Sequence, residues 1–130
     1  GSLIILLLVS AFLSGCIGIE QTVEAPVPLI PPDATGEQLY NMPVLGTQVG
    51  CVTCHSLDDT TVLGPSLQDI GSAAQERIPG MSAEEYIRQS LLEPNAFIIE
   101  GSTPNLMPPN YTDALTEAQI DALVTFLMSQ

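Results

Sequence analysis

The sequence has no lysine and no tryptophan, and its 130 residues include only two arginines, one histidine and three cysteines. Against Arg77 and Arg88 stand 15 acidic residues, which gives a formal charge of −13. Nucleic-acid binding requires basic side chains to neutralise phosphates, so that class of function is excluded. So acidic a surface is repelled by anionic lipid heads and attracts a partner that presents a basic patch. Aromatic residues make up 5% of the chain, and much of its Leu, Ile and Val lies between Leu3 and Ile19. The rest is short of large core side chains, and a small domain of that composition is marginal without an added staple. The length fits one domain plus attachments.

The scarce residues converge on Cys51-Val52-Thr53-Cys54-His55. A Cys-x-x-Cys-His run supplies two thiols for thioether bonds to haem vinyl groups and the next imidazole as proximal ligand to the iron. A structural zinc site needs about four ligands, and outside the run the chain offers only Cys16, in an apolar segment. A thioredoxin-like redox pair belongs in alternating strands and helices, and no such alternation is visible. A covalent haem also provides the apolar mass that the composition lacks. Its attachment is completed outside the cytoplasmic membrane, so the chain is expected to be exported.

Residues 1–19 hold an almost unbroken apolar run. As a helix it measures about 25 Å at ~1.5 Å per residue, against ~30 Å of bilayer hydrocarbon. It serves either as a membrane span or as an export signal. Leu13-Ser14-Gly15-Cys16 resembles a bacterial lipobox, which makes Cys16 a candidate lipid anchor; a retained membrane helix is the favoured expectation. Ser10, Ser14 and Gly18 form a small-residue face of the kind that lets membrane helices pack closely. Residues 20–32 carry Pro26, Pro28, Pro31 and Pro32 and read as an extended linker with a reach of about 40 Å at ~3.1 Å per residue. Residues 33–130 form the haem domain.

Three helices are predicted there. The first covers about Ala34 to Met42, with Asp33 or Thr35 as cap and Leu39 and Tyr40 facing inward. Ser82-Ala83-Glu84-Glu85 is a capping box that opens a second helix with Tyr86, Ile87 and Leu91 buried, stopped by Pro94. Thr116-Glu117-Ala118-Gln119 opens a third, with Ile120, Leu123, Val124 and Leu127 at helical spacing. The stretches between them read as loops rather than strands.

The second axial position of the iron decides between gas or peroxide chemistry and electron transfer. Met42 and Met128 occupy helical positions where a core role is expected. Met81 sits in a turn. Met107 lies in Pro104-Asn105-Leu106-Met107-Pro108-Pro109, a proline-stiffened loop suited to present one side chain at small entropic cost. Met107 is therefore the expected sixth ligand, opposite His55.

This order of features, from Asp33 to Gln130, resembles the class I cytochromes c. The resemblance implies an all-α fold, with three main helices plus loops around one covalent haem. Gly36 and Tyr40 are similar to small and aromatic residues of that family's first helix, which crosses the last helix near a leucine and aromatic pair, here Leu123 and Phe126. Gly64-Pro65-Ser66-Leu67 is similar to the loop whose proline carbonyl, here that of Pro65, accepts a hydrogen bond from the proximal histidine. The leucine of that loop, here Leu67, covers the haem. Arg77 is similar to an arginine that pairs with a haem propionate. The stretches 80–90 and 93–98 resemble the cytochrome domains fused to subunit II of caa-type oxidases, and equally the monohaem subunit of bacterial alternative complex III. The chain has no copper-site domain, which favours the second resemblance.

What these features imply is a one-electron carrier rather than an enzyme, anchored on the outer, periplasmic face of a bacterial cytoplasmic membrane. Its implied place is the electron-exit subunit of a quinol-oxidising respiratory or photosynthetic complex. A free-standing anchored cytochrome that shuttles to an oxidase or reaction centre fits the same residues. A haem sensor or peroxidase with an open sixth site is the rival from another class, and a largely structural haem subunit is a third reading.

Overall fold

The structure, a computed structural model, describes residues 29–130. The expected anchor at 1–19, Cys16 and most of the linker lie outside the described residues. Among the described residues no helix is long and apolar enough to cross a membrane.

Three helices carry the domain, each opened by a reciprocal capping box. In the first, α1 (Gly36–Asn41), the Thr35 side chain accepts from the Gln38 N–H while Gln38 reaches back to the Thr35 N–H. This settles the cap on Thr35. Ser82 and Glu85 open the helix Ala83–Leu92 in the same way, and Thr116 and Gln119 open Glu117–Met128. These boxes satisfy N–H groups that have no partner inside the helix. Ahead of Pro94 the second of these helices stops at Glu93, since the residue before a proline is pushed out of the helical region.

The inward stripes are those the spacing predicts. Leu39, Tyr40, Tyr86, Ile87, Leu91, Ile120, Leu123, Val124 and Leu127 are all buried, and full burial of a Leu or Ile side chain is worth about 1.5–3 kcal/mol. Where the first and last helices cross, Gly36 lies against the other backbone: an added Cβ would strike the Ala122 carbonyl oxygen and sit 2.5 Å from Phe126 Cβ. The Tyr40 and Phe126 rings meet there with centroids 5.7 Å apart. Arg88 bridges the other two helices by pairing with Asp121 and, at 3.7 Å, with Glu117.

Several short elements depart from the expected loops. Val44–Leu45 (β1) and Gln48–Val49 (β2) form an antiparallel hairpin, Val44 opposite Val49 and Leu45 opposite Gln48. Its turn places Gly46 at φ +60°, in the left-handed region where glycine carries no Cβ penalty. Cys51–Cys54 forms α2 and Ile70–Ala73 forms α3, the latter running into a 3₁₀ turn at Ala74–Glu76. The capped helices are thus α4 (Ala83–Leu92) and α5 (Glu117–Met128), with a second 3₁₀ turn at Tyr111–Asp113 between them.

Met128 does not fulfil its expected core role: it follows Leu127 directly and is 36% exposed, because one residue turns a helix by ~100° off the buried stripe. Met42 is half-buried at the end of α1. Packing also begins slightly ahead of Asp33. Ile30 contacts the core, and the Pro31 carbonyl accepts from the Ala34 N–H at 3.1 Å and from the side-chain amide of buried Gln119 at 3.0 Å.

Candidate functional site

The hairpin and Gly50 lead directly into α2, whose first and last residues are the two cysteines. Residues three apart on a helix share a face, so both thiols border one cleft, joined by His55 at the helix end. Cys51 is buried, and burial pushes its thiol up to about 11. A neutral group is what this wall tolerates, and a thioether is neutral. Two buried tyrosines bracket the motif through its backbone. Tyr40 Oη donates to the His55 carbonyl at 2.8 Å, and Tyr111 Oη donates to the Val49 carbonyl at 2.8 Å. Burial raises both phenols above their ordinary range. Nothing in the sequence marks Tyr111 for this role, because its partner lies far away along the chain.

Orientation of the imidazole follows from hydrogen-bond chemistry. His55 Nδ1 lies 2.7 Å from the Pro65 carbonyl oxygen. A carbonyl only accepts, so Nδ1 carries the proton and the neutral ring keeps its lone pair on Nε2, the nitrogen left for a metal. Gly64 makes room for the ring: an added Cβ would stand 2.5 Å from His55 Cε1 and 2.8 Å from Nδ1. The same loop is tied back by the Gly64 N–H to the Cys54 carbonyl at 2.8 Å and by the Leu67 N–H to the Ser56 carbonyl at 2.9 Å.

The cleft encloses about 1200 Å³ including its open mouth. Every site residue expected within the haem domain borders it: Cys51, Cys54 and His55, then Pro65 and Leu67 from the following loop, Arg77 after α3, and Met107 from the loop before α5. Among the four methionines only Met107 reaches this cleft; Met81 lies in a different groove, beside Arg88. Ile70, Ile87, Leu91 and Leu127 line it as well, and among the described residues no acidic side chain does. Arg77 Nε is buried without a hydrogen-bond partner among the described residues.

These features test the fit of a haem. The cleft is broad and apolar, as a porphyrin requires, with two thiols beside an imidazole of fixed tautomer. The unpartnered guanidinium nitrogen is a donor left for an anion, and buried polar groups are rarely left unpaired. The residues fit the group.

Fold and cleft together define a small helical domain built around one covalently held haem. The family model for cytochrome c matches residues 34–130, and the chain belongs to the cytochrome c family. Haem c is therefore its cofactor, with Cys51 and Cys54 as the attachment pair, and the protein is an electron carrier rather than a catalytic enzyme. Among curated proteins, none matches the chain.

Proposed function

We propose that this cytochrome is a membrane-anchored one-electron carrier with His55 and Met107 as axial ligands, serving as the electron-exit subunit of a quinol-oxidising membrane complex on the outer face of a bacterial membrane. The observation that carries the ligand assignment is that the chain's single histidine and one of its four methionines border the same cleft. When bound, haem c supplies a one-electron iron couple, and histidine with methionine ligation raises its potential.

The chain's own residues perform the rest. Pro65 holds the imidazole in one tautomer and one orientation, which keeps its geometry constant when the charge beneath it changes. Met107 comes from a loop stiffened by Pro104, Pro108 and Pro109, so little entropy is lost in presenting its sulfur. Leu67, Ile87 and Leu91 exclude water from the apolar wall, and Arg77 offers its free Nε–H to a propionate.

Partner choice rests on charge. The chain's two arginines are committed, Arg77 to the cleft and Arg88 to Glu117 and Asp121, so positive charge at an interface has to come from the partner. The anchor, whether a retained apolar helix or a lipid on Cys16, holds the domain beside its donor.

The ligand test is the ferric spectrum of the haem-loaded chain and of Met107→Ala. The weak red methionine-to-iron charge-transfer band is expected in the first and absent in the second. High-spin iron in the unaltered protein would favour an open-site sensor or peroxidase instead. Purification from membranes in mild detergent tests the subunit role: co-purifying quinol-oxidising subunits support it, and a lone chain would favour a free-standing carrier.

A further inference from the structure

Asn105 stands two residues before Met107 with φ +60°, in the left-handed region that costs an L-residue conformational energy and that asparagine tolerates better than most. Pro104, Pro108 and Pro109 around it have no N–H to contribute. Of the N–H groups at Asn105, Leu106 and Met107, that of Asn105 alone has a partner among the described residues. The partner is the side-chain oxygen of Asn95, at 2.7 Å.

Asn95 has a firm base. It follows the buried Pro94 at the end of α4, in a turn closed by the Ala96 N–H donating to the Glu93 carbonyl at 2.8 Å. The methionine loop is therefore tied to the end of α4 by one side chain reaching across the intervening segment. We propose that Asn95 is the positioning residue of the sixth ligand: by accepting the Asn105 N–H it holds the left-handed turn that keeps Met107 over the cleft. The proposal rests on the reading of Met107 as sixth ligand.

Both asparagines are exposed, so the bond is a modest one, and its loss shifts an equilibrium rather than unfolding the loop. An external ligand binds the iron only when the methionine has moved away, and its apparent affinity scales with the population of that state. The test is titration of the full haem-loaded ferric chain with imidazole at fixed pH, followed by loss of the red band. In Asn95→Ala the half-saturating imidazole concentration is expected to fall on the order of threefold to tenfold, the range of one ordinary hydrogen bond. Asn95→Asp retains an acceptor oxygen of the same shape and is expected to stay near the unaltered value. Titration midpoints unchanged in Asn95→Ala, or shifted equally in both variants, would overturn the proposal. The ligand reading is separated by Met107→Ala: retention of the red band there would remove Met107, and with it any positioning role for Asn95, whereas loss of the band together with an unchanged Asn95→Ala titration would overturn the positioning role alone.

Discussion

Tyr40 Oη donates to the carbonyl oxygen of His55 at 2.8 Å, which joins the α1 and α5 crossing to the backbone of the Cys51–His55 run. The Tyr40 ring that packs at a tilt of 44° against Phe126 carries the hydroxyl that holds His55. Tyr40→Phe keeps the ring and leaves that carbonyl without its donor. A loss of about 1–2 kcal/mol is expected, measured as the unfolding free energy of the haem-loaded protein in denaturant. An unchanged value would show that the carbonyl finds another donor.

Gly64→Ala tests the close approach under the imidazole. With the added Cβ 2.5 Å from His55 Cε1, either the ring or the loop must shift, at about 1–3 kcal/mol. The melting temperature of the haem-loaded protein is expected to drop by several degrees, on the order of 4–8 °C per kcal/mol for a domain of this size. A melting curve identical to that of the parent would mean that the ring has room to move.

The three capping boxes differ in one atom that titrates. Glu85 accepts from the Ser82 N–H and hydroxyl, bonds that hold its carboxyl below the ordinary 4.5. A carboxylate depressed in the folded state stabilises it above the unfolded pKa, and that contribution disappears as pH falls through the folded value. Gln38 and Gln119 occupy the same position in the other two boxes without a titrating group. Glu85→Gln is therefore expected to keep α4 capped and to weaken the loss of stability on acidification below about pH 4.5. Parallel curves of melting temperature against pH for the two proteins would contradict this.

The formal charge of −13 makes the proposed docking by charge testable. If electrons pass to a soluble acceptor carrying a basic patch, the transfer rate is expected to fall as ionic strength rises, because the Debye length shrinks to ~8 Å at physiological salt. Stopped-flow reduction across a salt series measures it. A flat response would place the acceptor permanently beside the domain.

How far the fold could be read from the residues follows the range of the forces involved. Capping boxes and helical stripes are local, so α1, α4 and α5 are legible, as is the Cys51, Cys54 and His55 run. The β1 and β2 hairpin, α2 and α3 are a few residues each and too short to show a period. The bonds of Tyr111 to Val49, of Asn95 to Asn105 and of Gln119 to Pro31 are not legible, because the backbone groups involved are remote in sequence. Met128 misleads for the opposite reason: its neighbours fit a helix so well that its own angular position is easily overlooked. Resemblance to a family brought in Pro65, Leu67 and Arg77, and the cleft places all three together.

Gln119 belongs to two structures at once, closing the α5 cap through its oxygen and clasping the Pro31 carbonyl through its nitrogen. The upstream chain consequently departs from one defined spot at the head of α5. Exchanging that nitrogen for an oxygen, as in Gln119→Glu, would leave the helix start closed and let go of Pro31.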